Sequence, residues 1–306
     1  MAGGGVAGLT AACYLARAGL EVTVFEKAPS LGGRAATKES DGFMFNRGIH
    51  ALYTGGVASR TLEELGIAYG HGTPKETFVL DGRELRSFPT SPSQFLRTDL
   101  LGAGDKMALV RFFATLGRAK PHELAGTSLQ EWLDLKVRRP RLHRLMVSLA
   151  YPLVYTSALN LVSAEVFVDK LQRALKHPVH YADGGWRVLV DGLRSASERA
   201  GARVVCDAHV ESVDVGSARA RGVCLRDGSL VRTSAVGALP TAKGGGFAGR
   251  PDAEVPGIAG LYLAGDWVGP EGFLVDASVA SARRAARLLL EDNLLARREM
   301  ATGSVR

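Results

Sequence analysis

Residues 3–19 read GGGVAGLTAACYLARAG, and residues 21–26 read EVTVFE. In the first stretch, glycines stand at Gly3, Gly5 and Gly8, and apolar residues then recur at helical spacing. The second stretch is rich in β-branched residues and ends on an acid, which is typical of a strand. A glycine turn, a helix and a strand in this order predict a Rossmann-like unit of the α/β class.

The glycines and the acid have separate tasks in holding a dinucleotide. The first glycine permits a tight turn, the second lets the backbone approach a pyrophosphate, and the third lets helix and strand pack closely. The helix N-terminus offers free N–H groups and the positive end of its dipole to the phosphates. Glu26 is placed to accept hydrogen bonds from a ribose. The alternative is a glycine-rich turn with no ligand.

Two further segments carry residues suited to the same ligand. Residues 31–35 read LGGRA, where the backbone at Gly33 can extend a phosphate cradle and Arg34 can neutralise charge. Residues 260–266 read GLYLAGD, which delivers Asp266 to a loop ahead of a helix, where it can bind a sugar hydroxyl. The alternatives are an ordinary loop with a surface arginine, and a turn in which the aspartate only caps a helix.

These segments, together with DGGW at 183–186, resemble the FAD-dependent amine oxidase and phytoene desaturase superfamily. Members of that superfamily share a glutathione-reductase-type, Rossmann-like FAD-binding domain. The joint match, in order along the chain, is more specific than any single motif. The matching segments are residues 3–19, 22–37, 41–53, 183–213 and 260–286.

The resemblance implies that FAD is the cofactor and that each segment contributes to its binding. Glu26 would bind the adenosine ribose, and Gly33 and Arg34 would lie at the pyrophosphate. Val210 would contact the adenine through its backbone, and Asp266 would bind the ribityl chain. The complete set of expected cofactor-binding residues is Gly3, Gly5, Val6, Ala7, Gly8, Glu26, Lys27, Gly33, Arg34, Val210, Gly265, Asp266 and Val275.

The sequence assigns no catalytic residue firmly. The resemblance implies that Gly48, Ile49 and His50 lie near the flavin face, and that Leu274 and Val275 precede a helix aimed at the ring. A histidine near a flavin can relay protons, which makes His50 a weak catalytic candidate. The alternative is a hydrogen-bonded structural histidine.

Hydrophobic periodicity predicts α/β segments at both ends of the chain and a helical insert between them. We therefore expect a discontinuous FAD-binding domain at 1–75 and 183–306 and a mostly helical substrate or cap domain at 76–182. The predicted elements are helices at 5–17, 57–65, 186–196 and 276–297, a helical region at 104–175 broken by Pro121, Pro140 and Pro152, a hairpin within 75–90, and strands at 21–26, 203–215, 220–226, 229–238 and 261–264.

Two features depart from the family pattern. Members begin with a buried strand ahead of the glycine motif, whereas Met1 and Ala2 alone precede Gly3 here. Members also carry far more residues between the strand that ends near 239–240 and the motif at 265–266, where this chain has about two dozen. The resemblance thus implies a fold short of a central strand and of much of the substrate-domain sheet. A shortened remnant without activity is one alternative.

Charge and cysteine usage narrow the function classes. The net charge is +7, but no basic stripe is interleaved with aromatics, so nucleic-acid binding is not expected. The three cysteines and the scattered histidines lack metal-ligand spacing, so no metal is expected. The cysteines are predicted to be buried thiols in a reducing compartment, the cytoplasm. The first twenty residues lack a basic n-region and are not predicted to be a signal peptide.

Residues 138–164 raise the question of membrane contact. The stretch 145–164 carries no charge, and arginines at 138, 139, 141 and 144 precede it. Pro152 and Asn160 argue against a spanning helix. The alternatives are peripheral contact with a membrane, beside the mouth of a site for a lipophilic substrate, and two core helices around a proline kink. The core alternative is favoured.

The function that the resemblance implies is hydride transfer from a C–H bond of a lipophilic substrate to flavin. Residues 41–53 look closer to the carotenoid desaturase branch, which favours a phytoene-desaturase-like reaction. An amine or protoporphyrinogen oxidase of the same superfamily is the nearest alternative, acting on an amine or a porphyrinogen. A nicotinamide-dependent dehydrogenase is a third, although the segment at 260–266 argues against it. The sequence does not indicate an oligomeric state.

Overall fold

A computed structural model describes residues 1–74, 76–81, 83–89, 91–227 and 245–303. The chain divides into two compact units. The first unit comprises Met1–Gly72 and the described parts of His180–Ala238 and Pro251–Arg306. The second comprises Thr73–Val179 and the described part of Leu239–Arg250. The first unit is therefore assembled from stretches that lie far apart in the sequence.

The helices lie where apolar residues recur at helical spacing. They are α1 (Val6–Arg17), α2 (Val57–Glu64), α3 (Pro92–Arg97), α4 (Ala103–Leu116), α5 (Leu129–Lys136), α6 (Pro140–Val154), α7 (Ala164–Ala174), α8 (Arg187–Arg199) and α9 (Val275–Gly303). The strands are β1 (Thr23–Phe25), β2 (Thr37–Ser40), β3 (Phe43–Asn46), β4 (Leu52–Tyr53), β5 (His71–Gly72), β6 (Phe78–Asp81), β7 (Glu84–Ser87), β8 (Val179–Ala182), β9 (Arg203–Val205), β10 (Val210–Gly216) and β11 (Arg219–Leu225). The helices predicted at 5–17, 57–65, 186–196 and 276–297 are confirmed as α1, α2, α8 and α9, with shifted bounds.

Helix α1 is the centre of the first unit and packs against both α8 and α9. Its Leu9 joins a buried cluster with Leu189 and Leu193 of α8. On another side, Leu15 packs with Val24 of β1. The apolar residues at helical spacing in the helix predicted at 186–196 are all buried: Trp186, Leu189, Val190, Leu193 and Ala196. The glycine motif at the start of α1 is thus attached to the best-packed helix of the unit.

A short parallel sheet lies beside the glycine motif and supports it. β1 pairs in parallel with β9. At the other edge of β1, Ala2 bridges Phe25 in parallel, and the Gly3 N–H donates to the Phe25 carbonyl at 2.8 Å. Parallel strands and helices alternate here, so the unit has the expected mixed α/β character.

The strand predicted at 203–215 is wrong as a single element, because the chain forms β9 and β10 with a turn between them. Asp207 adopts a left-handed φ of 55° at this turn. Its N–H donates to the Ala28 carbonyl at 3.2 Å, and the Ala208 N–H donates to the Glu26 carbonyl at 2.9 Å. These bonds bend the chain back toward the end of β1. The strand predicted at 220–226 is confirmed as β11, and the one at 229–238 lies outside the described residues.

The prediction of a buried strand at 261–264 is also wrong. Tyr262 makes an isolated antiparallel bridge with Glu254, and residues 261–264 are only half-buried. The Leu263 N–H donates to the Ala253 carbonyl at 2.6 Å. Because this segment pairs with the irregular loop at 253–255, no continuous ladder forms.

A small sheet lies where the chain leaves and re-enters the first unit. β8 lies between β4 and β5, and His71 of β5 pairs with Ala182 of β8 in antiparallel register. The imidazole of His71 stacks on that of His180, with ring centroids 3.5 Å apart. The strands on either side of the second unit are therefore paired directly with each other.

The second unit is mostly helical, with the predicted hairpin present as β6 and β7. Pro121 opens a 3-10 helix and Pro140 is the first residue of α6, so both interrupt the helical region as predicted. The break predicted at Pro152 is wrong. Its ring lies in the last turn of α6, and the helix ends only at Tyr155, which adopts a left-handed φ of 57°.

The packing of residues 138–164 bears on membrane contact. Leu145, Met146 and Val154 are buried in the second unit, whereas Tyr151 and Leu161 are exposed. Within the described ranges, no helix is long and apolar enough to cross a membrane. This burial agrees with the core alternative, but a single helix, α6, runs through Pro152 in place of two helices around a kink.

Replacing Gly8 by alanine tests the contact between α1 and the glycine turn. A Cβ at Gly8 would lie 2.0 Å from the Gly3 carbonyl oxygen, whereas one at Gly5 finds Gly32 O as its nearest atom at 3.9 Å. Alanine is about 1 kcal/mol better than glycine inside a helix, but overpacking of this kind costs about 1–3 kcal/mol. We expect Gly8→Ala to lower the free energy of unfolding in urea and Gly5→Ala to change it by less. Equal effects would show that the contact is not tight.

The Cys13 thiol provides a test of core burial through pH. Burial raises the pKa of Cys13 to about 11, and its Sγ donates to the Leu193 carbonyl at 3.4 Å. The unfolded thiol ionises near its usual value of 9.0, so its contribution to stability should fall as the pH rises from about 9 toward 11. We expect the free energy of unfolding to decline over this range less steeply in Cys13→Ala than in the parent chain. Identical slopes would contradict a buried thiol.

Candidate dinucleotide site

The glycine turn presents unpaired backbone donors at the start of α1. Gly3 adopts a φ of 98°, which favours glycine, and Gly5 is the N-cap without a side chain. Leu9 donates its N–H to the Gly5 carbonyl at 3.0 Å. The N–H groups of the three preceding helical residues therefore have no acceptor within the helix. Together with the helix dipole, these donors form an anion-binding end.

Glu26 lies directly behind this turn and is buried. Its Oε2 accepts a hydrogen bond from the Gly4 N–H at 2.8 Å, and its Oε1 accepts one from the Ala28 N–H at 2.9 Å. A carboxylate can accept about four hydrogen bonds, so capacity remains for the hydroxyls of a ribose. Glu26 thus braces the glycine turn as well as suiting a sugar. Sequence reasoning missed the bracing role, which depends on the pairing of residues 1–3 with β1.

The second glycine segment lies against the first. The Gly32 N–H donates to the Gly4 carbonyl at 2.8 Å, and Gly32 also bridges Gly5. Gly32 and Gly33 have φ values of 101° and 55°, and a 3-10 turn at Gly33–Ala35 follows. The backbone at Gly33 and Arg34 therefore follows directly on the residue that bonds to the glycine turn.

Arg34 and Asp266 form a bidentate ion pair across 232 residues of sequence, with N–O distances of 2.5 and 2.8 Å. The side chain of Arg34 is 71% exposed, whereas that of Asp266 is only 11% exposed. The hydrogen bonds that Arg34 donates to Asp266 raise the pKa of its guanidinium. The resemblance implies separate roles for these two residues, and the structure brings them together.

The start of α9 is held by two polar side chains that sequence reasoning missed. The Ser281 hydroxyl accepts a hydrogen bond from the Gly265 N–H at 2.9 Å, which ties the motif at 265–266 to the helix. Asp276 Oδ1 accepts one from the Ala58 N–H at 2.8 Å and so caps α2. Val275 opens α9 directly after Leu274, whose φ is 54°. The only sequence signal for Asp276 was an acid in a first helical turn.

The remaining expected cofactor residues lie at the end of β1 and beyond β9. Lys27 is exposed, and Val210 is half-buried at the start of β10. The Glu26 N–H donates to the Val205 carbonyl at 2.9 Å. Together with the bond from Ala208, this contact brings the chain ahead of Val210 close to Glu26.

His50 lies on the segment that follows β3. It is exposed, its Nδ1 is 3.3 Å from the Gly48 carbonyl oxygen, and its ring meets Tyr181 edge-on at 5.5 Å. Its own carbonyl accepts a hydrogen bond from Trp186 Nε1 at 2.7 Å. The environment holds the backbone of His50 more firmly than its ring.

The donors and acceptors fit a dinucleotide. A pyrophosphate suits the space at Gly5, the free N–H groups of α1 and the guanidinium of Arg34. A sugar beside it suits the carboxylate of Glu26. The part of the chain that the structure describes contains no group of three or more side chains that could hold a metal ion.

Comparison with known proteins identifies the class. A sequence model of the family described as flavin containing amine oxidoreductase matches residues 6–243, and the chain belongs to that family. The carotenoid 3,4-desaturase of Haloarcula japonica is 28% identical over 254 residues, which cover 69% of this chain and 49% of the relative. The chain spans about half the length of the curated relatives it matches.

Solved structures share the fold. An oxidoreductase from Methanosarcina mazei matches with a TM-score of 0.59 and 23% identity, over 74% of this chain and 55% of that one. A putrescine oxidase with bound putrescine matches with a TM-score of 0.57 and 19% identity, over 74% and 54% of the two chains. At these identities the likeness concerns the fold.

The Arg34–Asp266 pair predicts an asymmetry between two variants. Arg34→Met would leave a largely buried carboxylate without its partner, which should cost about 1–3 kcal/mol. Asp266→Asn would leave an exposed guanidinium in water and should cost less than about 1 kcal/mol. Urea unfolding without added nucleotide measures both. Equal losses would contradict the burial difference between the two side chains.

Proposed function

We propose that this chain binds FAD and serves hydride transfer from an organic substrate to flavin. The observation that carries the proposal is the convergence, in one unit, of the open N-terminus of α1, Glu26 and the Arg34–Asp266 pair. Membership of a flavin-containing family supports it. The first unit would correspond to the FAD-binding domain expected at 1–75 and 183–306, apart from the described part of 239–250, which belongs to the second unit, and 76–182 would be the substrate or cap domain.

The chain's own residues would bind and orient the cofactor. When bound, FAD supplies a ring that accepts a hydride from a C–H or C–N bond. The N–H groups of Val6, Ala7 and Gly8 would donate to the pyrophosphate, and Glu26 would accept from the adenosine ribose. Asp266 would accept from a ribityl hydroxyl while Arg34 keeps its charge balanced. The remaining expected residues, Lys27, Gly33, Val210, Gly265 and Val275, would contribute chiefly backbone contacts.

We propose a lipophilic substrate and a phytoene-desaturase-like reaction. Similarity to a carotenoid desaturase supports this choice. Phe43 and Phe45 of β3 are exposed, with ring centroids 6.5 Å apart, and they adjoin the segment at 46–50. Apolar side chains there suit a hydrocarbon better than a cationic amine. Peripheral membrane contact remains part of the proposal, with the arginines at 138–144 and exposed Tyr151 and Leu161 as its support.

Amine oxidation is the second candidate, because a putrescine oxidase shares the fold. A chain that only binds nucleotide is the third, because this one spans about half the length of its curated relatives. Incubation of the FAD-loaded chain with a carotenoid precursor and with diamines separates the three. A product with an additional conjugated double bond would identify desaturation, and an aldehyde would identify amine oxidation. Neither product would identify a chain that only binds nucleotide.

Gly5→Ala tests the cofactor proposal directly. A Cβ at Gly5 meets no protein atom closer than 3.9 Å, so it would occupy the space left for the pyrophosphate. We expect the parent chain to bind FAD with the visible spectrum of a protein-bound flavin. Gly5→Ala should weaken FAD binding at least tenfold, or by about 1.4 kcal/mol.

The control for this experiment is the unfolding free energy of the same variant, which should stay close to that of the parent chain. Binding of NAD in preference to FAD would contradict the proposal. So would an affinity for FAD that the Gly5→Ala substitution leaves unchanged.

A further inference from the structure

The DGGW motif at 183–186 packs against the hairpin formed by β2 and β3. The Thr37 hydroxyl donates to Asn46 Oδ1 at 2.7 Å, and the backbone N–H of Trp186 donates to the same oxygen at 2.9 Å. The Arg187 N–H donates to the Thr37 hydroxyl at 3.0 Å. Segments about 140 residues apart in sequence are thereby joined through one amide oxygen.

Trp186 also reaches the far end of the segment that follows β3. Its Nε1–H donates to the His50 carbonyl at 2.7 Å, and its side chain is buried in the core cluster of the first unit. The two N–H groups of Trp186 therefore hold Asn46 and His50, the two ends of the segment at 46–50. Gly48, in the middle of the segment, lies against the Arg34 carbonyl oxygen.

Glycines allow the close approaches that this arrangement requires. A Cβ at Gly48 would lie 2.5 Å from the Arg34 carbonyl oxygen, so the segment is seated directly on the dinucleotide site. Gly185 has a φ of 77°, and a Cβ there would lie 2.7 Å from Thr37 Cγ2. Any side chain at either position would push the segment, or the turn that holds it, out of place.

We propose that Trp186 and Asn46 are positioning residues that clamp the segment at 46–50 in the place where it faces the flavin ring. This inference rests on the proposed function and on the family resemblance, which implies that Gly48, Ile49 and His50 lie near the flavin face. The clamp acts through backbone atoms, because it holds the carbonyl of His50 and leaves the imidazole exposed. It gives the DGGW motif a role in orienting the reactive end of the cofactor site.

Two substitutions break the clamp, and two matched ones preserve it. Trp186→Phe keeps a buried aromatic ring but removes the indole N–H, and Asn46→Leu keeps the branched shape but removes the acceptor. Asn46→Asp retains an oxygen that can accept both hydrogen bonds. Trp132→Phe makes the same chemical change in the second unit, at a tryptophan that is equally buried.

Hydrogen exchange of peptides spanning residues 43–53 measures the clamp without any cofactor. We expect exchange at least about tenfold faster in Trp186→Phe and Asn46→Leu, because each opens one end of the segment. Asn46→Asp and Trp132→Phe should exchange like the parent chain. Unchanged exchange in Trp186→Phe, or the same increase in Trp132→Phe, would overturn the inference.

Comparison of FAD with ADP tests the orientation toward the flavin. ADP carries the adenosine and pyrophosphate of FAD but neither the ribityl chain nor the flavin ring. Its affinity should therefore be unaffected in Trp186→Phe, while FAD affinity falls about tenfold, the size of one hydrogen bond. The visible circular dichroism of bound FAD should also change. Equal weakening of both ligands would overturn the positioning role. A parent chain that binds neither would overturn the proposed function instead, and the exchange data would still decide whether the clamp exists.

Discussion

The contact between the Gly3 carbonyl and the Cα of Gly8 is the constraint on which the first unit depends. It leaves no room for a side chain, so the chain must turn from the parallel sheet into α1 within a few residues. That turn directs the free N–H groups of α1 toward the edge where Glu26 and the second glycine segment lie. The same helix supplies one side of the buried core. The close approach of Gly3 to Gly8 therefore determines both how α1 packs and where its free N–H groups point.

Charged groups of both signs surround the glycine turn. The dipole of α1 and the guanidinium of Arg34 are positive, and the carboxylates of Glu26 and Asp266 each lie within reach of compensating donors. An ion pair formed by residues near opposite ends of the chain can exist only when the first unit is fully assembled. The Arg34–Asp266 ion pair is therefore present only in the folded first unit.

The sequence predicted features that depend on local chemistry. The glycine motif, the helix that follows it, the apolar face of α8 and the interruptions at Pro121 and Pro140 all have nearby causes. The errors at Pro152, 203–215 and 261–264 arose where distant hydrogen bonds or position within a helix overrode a local preference. The bracing of Gly4 by Glu26, the tie from Ser281 and the clamp by Trp186 all join segments far apart in sequence. No local pattern could have revealed those contacts.

The pairing of β5 with β8 has a consequence for how such a chain can change. The strand by which the chain leaves the first unit is β5, and the strand by which it returns is β8. These two strands are hydrogen-bonded neighbours in one sheet. The entropy cost of closing a loop between two adjacent points rises only slowly with the number of residues in the loop. The segment between Gly72 and His180 is therefore free to be lengthened, trimmed or exchanged during evolution while the spacing of its two ends stays constant. Such changes would leave the unit that carries the glycine motif undisturbed.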